Sequence, residues 1–148
     1  MNFPLDVPPE IQIKCTLEQG YVYYFEESSF SSDTPHYFVV LNKTPLTDIF
    51  IVFVNATSQV EKSEKRQKQF GYPSETFVRV PSGQCSFLRK DSIFNCNSVI
   101  KQSVQSLMDK VNEGKLRLVG TMPDEIMKKL IDGVLISPAV EKRIKILI

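Results

Sequence analysis

The chain has 148 residues and a formal net charge of +1, with 42% hydrophobic and 24% charged residues. This length and composition predict one globular domain and exclude a low-complexity or strongly charged disordered chain. Because the net charge is close to zero, any contact with a polyanion must come from a local basic patch.

The composition also bears on membranes, metals and redox state. No apolar run is long enough to span a bilayer, and the first residues, "MNFPLDVPPEIQ", lack the basic start and apolar run of a signal peptide. We therefore predict a cytoplasmic protein without membrane contact. The three cysteines have no CxxC spacing and the chain has one histidine, His36, so we predict reduced, packed cysteines and neither a metal site nor a cofactor.

The N-terminal part predicts an arm followed by a first strand. Residues 1–10 are rich in proline, which favours an extended arm, and the alternation in "IQIKCTL" (11–17) is typical of a short strand. We place the arm at residues 1–19 and a single domain at 20–148. "GYVYYFEE" (20–27) is aromatic and β-branched, which predicts a strand.

Two more strands and two loops follow. "SSFSSDTP" (28–35) has the composition of a flexible loop. "HYFVVLN" (36–42) and "IFIVFVNAT" (49–57) are nearly continuous apolar runs, so we predict strands covered on both faces, with 49–57 at the centre of the sheet. The charged segment 58–75 shows no periodicity and is predicted to be a long loop.

In the last part of the chain, the sequence predicts two or three more strands and then helices. Apolar and polar residues alternate in "TFVRVP" (76–81), which predicts a strand. "RKDSI", which lies in the next apolar run, is interpreted as a turn with a structural role. Helical spacing of apolar residues begins at Ser98, with Asn95 and Asn97 as expected caps. Two further helices are predicted from "MPDEIMKKLIDGV" and "SPAVEKRIKILI", the second capped by Ser137. Strands before helices indicate an α+β fold.

The order of these segments resembles one known family. "GYVYYFEE", "HYFVVLN", a strand ending in "NATS", a basic segment, "VRVPSG", "L-RKDSI-NC" and "GKL" follow one another as in the MazF/PemK family of toxin endoribonucleases. The resemblance covers residues 20 to 135. It implies a small antiparallel SH3-like β-barrel with C-terminal helices packed against it.

The resemblance also implies an activity and partners. It predicts a toxin-type endoribonuclease that cuts single-stranded RNA at a short sequence without a metal ion and leaves a cyclic phosphate. It further predicts a homodimer held in check by a cognate antitoxin protein. Such cleavage needs a base, an acid and donors around the phosphate.

The implied catalytic residues are His36, Thr57 and Ser58. His36 stands where many family members have a catalytic arginine, and an imidazole is suited to an acid or base role. Thr57 ends the predicted central strand and Ser58 follows it, and the resemblance implies that both donate to a phosphate. The structural alternatives are an exposed histidine at a sheet edge and hydroxyls that bond the turning backbone.

The implied RNA-binding residues are basic. Arg79 lies on the alternating strand, and Lys62, Lys65 and Arg66 lie in the charged segment. A solvated loop is the alternative for the last three residues. Two other functions stay open: a non-catalytic binding protein of the same barrel fold, such as a gyrase inhibitor, and an unrelated α+β adaptor. A nuclease should place a cation near Thr57, supplied by His36, Arg79 or the charged segment.

Overall fold

A six-stranded antiparallel sheet organises the fold, in a computed structural model that describes residues 7–30 and 34–148. The strands are β1 (Tyr21–Phe25), β2 (His36–Val40), β3 (Ile51–Thr57), β4 (Phe77–Val80), β5 (Ser92–Gln102) and β6 (Arg117–Thr121). Their order across the sheet is β4-β5-β3-β2-β1-β6. Strands β4 and β6 form its two edges in the described part of the chain, so the sheet is open and the predicted barrel is not confirmed.

The three strands predicted between residues 20 and 57 are confirmed. Segments 20–27, 36–42 and 49–57 contain β1, β2 and β3, and β3 is one of the two middle strands of the sheet. Its first four residues are buried, as expected for a strand covered on both faces. Residues 31–33 of the predicted loop lie outside the described residues.

Helices cover both faces of the sheet. They are α1 (Pro9–Thr16), α2 (Val60–Phe70), α3 (Val104–Asn112), α4 (Asp124–Ile136) and α5 (Lys142–Lys145). On one face, side chains of α1 and α3 such as Ile13 and Leu107 pack against Phe38 and Phe53. On the other, α4 and α5 cover the remaining side chains of the same strands. The apolar strands are thus covered by the chain itself, and their burial gives no argument for a second copy.

The strand predicted at 11–17 is wrong, because α1 occupies this segment. Ile13 and Leu17 are four residues apart and fully buried, so both face the same core as helical neighbours do. Pro9 lies at the start of the helix, where its missing N–H costs nothing. The extended arm is therefore wrong from Pro9 onward, and residues 1–6 lie outside the described residues.

The loop predicted at 58–75 is also wrong. Helix α2 fills most of it and ends at Gly71, whose φ of 69° is the left-handed conformation of a helix C-terminus. The helix contacts β4 and β5 through a narrow side that includes Ser63, its buried residue. Because that side is polar, the sequence shows no apolar periodicity that would predict the helix.

The helix predicted from Ser98 begins later. Strand β5 continues to Gln102, and α3 is capped by Ser103, whose hydroxyl accepts a hydrogen bond from the Ser106 N–H at 3.0 Å. The Asn95 and Asn97 caps are wrong. Asn97 instead donates to the Thr76 hydroxyl at 2.8 Å and accepts from the Ser137 hydroxyl at 2.6 Å. Pairing with β3 keeps residues 99–102 extended.

The C-terminal region differs in two further places. Strand β6 was not predicted, because its five residues carry weak alternation and end in glycine and threonine. Ser137 ends α4 instead of capping a last helix, and α5 is a single turn that begins at Lys142. The helix predicted for "MPDEIMKKLIDGV" is confirmed as α4. No helix among the described residues is long and apolar enough to cross a bilayer.

Replacing Gly133 with alanine should destabilise the fold. Glycine to alanine inside a helix normally stabilises by about 1 kcal/mol. A Cβ at Gly133, however, would lie 2.8 Å from the Glu75 carbonyl oxygen and 2.9 Å from the Cys96 sulfur. We expect a loss of about 1–3 kcal/mol in the free energy of unfolding, measured by urea denaturation. Lys128→Ala, at an exposed position of α4, is the control, and an unchanged or raised stability of Gly133→Ala would contradict this packing.

Candidate functional site

The sheet brings the ends of two strands together. Strand β2 begins at His36 and its antiparallel neighbour β3 ends at Thr57. Phe38 pairs with Asn55, so His36 and Thr57 stand side by side two residues further along. Both residues line two adjoining cavities of about 340 Å³ and 520 Å³. The structure thus places these two predicted residues in one site.

The two cavities have different outer walls. The smaller one, called here the turn cavity, is completed by Ser58, Arg89 and Lys90. The larger one, called the helix cavity, is completed by Lys62 and Arg66 of α2 and by the polar residues Asn55, Asn95 and Ser98. We call the two cavities together the cleft.

The cleft is a local basic patch in a chain that is nearly neutral overall. Arg89 and Lys90 line the turn cavity, and Lys62 and Arg66 line the helix cavity. No carboxylate is present among the described residues that line either cavity. Four cations around a half-enclosed space favour an anionic ligand. Neutral amides and hydroxyls fill the wall between them and offer hydrogen bonds.

His36 is held by aromatic packing. Its ring lies edge-on to Phe30, with centroids 5.1 Å apart, and is 6.4 Å from Phe38. Strand β2 is flanked by β1 and β3, so the alternative of an exposed histidine at a sheet edge is wrong. Its Nδ1 atom is buried and has no hydrogen-bond partner among the described residues.

Thr57 supports the turn that follows β3. Its hydroxyl oxygen accepts a hydrogen bond from the Gln59 N–H at 3.2 Å, which is the structural role considered for this residue. A hydroxyl that accepts one bond still has its proton to donate. Thr57 is half-buried, and Ser58 beside it is exposed. Both functions of Thr57 are thus compatible with the geometry.

Arg79 lies outside the cleft. Its guanidinium is 3.5 Å from a carboxylate oxygen of Glu64 and 3.9 Å from one of Asp91. It lines an outer cavity of about 940 Å³, which it shares with Lys65 and Lys62. Of the four predicted RNA-binding residues, Lys62 and Arg66 therefore reach the cleft, whereas Arg79 and Lys65 line its outer neighbour.

Arg89 and Lys90 were missed by the sequence analysis. They lie in the segment interpreted as a structural turn, and Asp91 indeed accepts a hydrogen bond from the Ser82 N–H at 2.9 Å. Leu88 is buried and anchors the turn, which carries the two exposed cations to the cleft. The sequence feature that could have identified them is a pair of adjacent cationic residues directly after an apolar residue.

The cysteines lie away from the cleft. Burial raises the pKa of Cys96 to about 12 and also raises the pKa of Cys85, whereas Cys15 is exposed. A raised pKa means less reactive thiolate at a given pH. In residues 7–30 and 34–148, no three His, Cys, Asp or Glu side chains are grouped closely enough to hold a metal ion.

Thiol labelling should show this difference. We expect iodoacetamide at pH 8 to modify Cys15 rapidly in the native protein and the two buried thiols only after denaturation, as measured by mass spectrometry. Cys15→Ser should abolish the fast phase. Rapid labelling of Cys96 in the native protein would contradict the packing of α4 on β5.

Comparisons with known proteins place few constraints on this site. No protein-family model matches the chain. No curated protein sequence matches it. Among solved structures, the chain is similar to the Mycobacterium tuberculosis toxin MazF-mt6, with 13% sequence identity and a TM-score of 0.49 over 77% of this chain and 91% of that one.

Proposed function

We propose that the chain is a toxin-type endoribonuclease that cleaves single-stranded RNA through the 2′-hydroxyl without a metal ion. One observation carries the proposal. His36 and Thr57 share a cleft with four cations, and no described residue lining it is a carboxylate. Such a cleft attracts a phosphodiester and supplies both a proton-transfer group and donors.

The proposed reaction is an internal transesterification. The 2′-oxygen attacks the phosphorus, the bond to the 5′-oxygen breaks, and a 2′,3′-cyclic phosphate forms. His36 performs one of the two proton transfers, either from the 2′-hydroxyl or to the leaving oxygen, and solvent water performs the other. The Thr57 hydroxyl and the guanidinium of Arg89 stabilise the charge that develops on the phosphate oxygens.

Sequence selectivity would come from the helix cavity. Asn55, Gln59 and Asn95 line it, and their amides both donate and accept hydrogen bonds. Unpaired bases of single-stranded RNA expose edges that such amides recognise. Lys62 and Arg66 would hold the adjoining phosphates. The cleft therefore offers separate contacts to backbone and bases.

The proposed partners follow from the family resemblance. A cognate antitoxin protein would block the cleft, and a homodimer and a cytoplasmic location are proposed on the same basis. A non-catalytic binding protein is the second candidate. It is favoured by the histidine that stands at the family's arginine position.

Purified protein incubated with a long single-stranded RNA in excess chelator separates the two candidates. We expect discrete fragments that end in a 2′,3′-cyclic phosphate, identified by mass spectrometry, at a rate that added magnesium does not raise. The same RNA annealed to its complement is the control and should be cut slowly. RNA that is bound but left intact, with or without metal, would favour the binding protein.

A further inference from the structure

A row of side chains continues from the cleft along α2. Lys62, Arg66 and Phe70 are spaced four residues apart, which places them above one another on one side of the helix. The two cations line the helix cavity, and Phe70 ends the row with 62% of its surface exposed. At the rise of an α-helix the row is about 12 Å long.

The aromatic end of the row is held in place. The ring centroids of Phe70 and Tyr72 are 5.9 Å apart, and Gly71 between them adopts the left-handed conformation that ends α2. The side chain of Gln67 donates to the Tyr72 carbonyl at 2.8 Å. An exposed ring fixed in this way has little freedom left to lose when a planar ligand stacks on it.

The aromatic pair is continuous with the wall of the cleft. The Tyr72 ring is 6.4 Å from that of Phe77, and Phe77 pairs across the sheet with Asn95, which lines the helix cavity. A ligand that leaves the helix cavity along Lys62 and Arg66 therefore reaches the aromatic pair without crossing another element.

We propose that Lys62, Arg66, Phe70 and Tyr72 form a flanking-nucleotide track, which binds the single-stranded RNA next to the cleavage site. The two cations contact successive phosphates, and a base stacks on Phe70. This inference rests on the proposed function and deepens it, because it requires a substrate that is unpaired beyond the scissile bond. The stacked base is expected about two or three nucleotides from that bond, one phosphate for each cation.

The chemistry of the row favours nucleic acid as its occupant. Cations that lead to an exposed aromatic side chain are the combination that binds single strands, where stacking tolerates any base. The neighbouring carboxylate of Glu64 lies 3.5 Å from the Arg79 guanidinium, so its ion pair is with a cation outside the row. When no ligand covers it, Phe70 exposes a large apolar surface to water.

Binding of a non-cleavable RNA tests the track. The probe is a labelled single-stranded RNA with 2′-O-methyl sugars at every position, which cannot be cleaved through the 2′-oxygen, and its binding is measured by fluorescence polarisation. Phe70→Ala should weaken binding about 5- to 150-fold, the range for loss of one stacked base, and Phe70→Tyr should restore it. Ile49→Ala is the matched control, since Ile49 is 91% exposed and lies outside the track.

An abasic scan of the same probe adds a second measurement. At the stacked position, removing the base should weaken binding to the wild type and have no further effect on Phe70→Ala. Arg66→Ala should weaken binding more than Lys68→Ala, because Lys68 is on the same helix but outside the row.

The outcomes separate the track from the nuclease. If Phe70→Ala and the wild type bind the RNA equally well, the track is overturned. If both also cleave RNA, the proposed nuclease still stands. If the wild type binds the probe through Phe70 but cuts no RNA, the track stands and the nuclease is rejected. If the wild type neither binds nor cuts RNA, both proposals are rejected.

Discussion

Replacing His36 with alanine should slow RNA cleavage by about 10²-fold or more, because a positioned acid or base typically contributes 10²- to 10⁴-fold. His36 is the single histidine of the sequence, and it lies beside Thr57 in the cleft. The measurement is single-turnover cleavage of a saturating RNA, so that binding does not limit the rate. RNA affinity should change much less than the rate.

Matched variants at the neighbouring threonine complete this test. Thr57→Ala should also reduce the single-turnover rate, whereas Thr57→Ser keeps the hydroxyl and should retain most of it. Because the Thr57 hydroxyl also bonds the Gln59 N–H, the melting temperature of each variant must be measured. A folded His36→Ala variant with an unchanged rate would remove His36 from the mechanism.

Replacing Arg89 with alanine should reduce cleavage by about 10²-fold, the usual cost of losing one donor that stabilises transition-state charge. Arg89 lines the turn cavity next to His36 and Thr57. Arg79→Ala is a control of the same chemistry, since its guanidinium is near Glu64 and Asp91 and lines the outer cavity. We expect a clearly smaller effect for Arg79.

The salt dependence of binding separates the roles of these arginines. If Arg89 contacts a phosphate, the magnitude of the slope of log affinity against log salt concentration should fall by about 0.7 in Arg89→Ala, the value for one phosphate contact to a single strand. Equal losses of rate for Arg79→Ala and Arg89→Ala would contradict the assignment of the scissile phosphate to the turn cavity.

The sequence predicted the central strands and α4 well, because their apolar residues follow the geometry of the element. The apolar runs that became β2 and β3 are buried on both faces, and α4 buries one regular stripe. Helix α2 was missed because it packs through a polar side with Ser63 as its buried residue. The start of α3 was misplaced because long-range pairing keeps β5 extended to Gln102.

The candidate site was predictable only in part. The family resemblance predicted that His36 and Thr57 lie in one cleft, and the register of the neighbouring strands β2 and β3 brings them together. Arg89 and Lys90 belong to a turn whose position relative to β2 depends on tertiary packing, including the buried Leu88. The row from Lys62 to Phe70 exists only because the charged segment is a helix.

A chimeric oligonucleotide tests the central claim most directly. A single-stranded RNA that contains the mapped cleavage site is compared with the same strand carrying one 2′-deoxy sugar at the nucleotide whose 2′-oxygen would attack. Both are incubated with the purified protein in chelator. The account predicts cleavage of the all-ribose strand to a 2′,3′-cyclic phosphate and no detectable cleavage at that bond in the chimera. Equal cleavage of both strands at that bond, or a long RNA in which no cleavage site can be mapped, would contradict it.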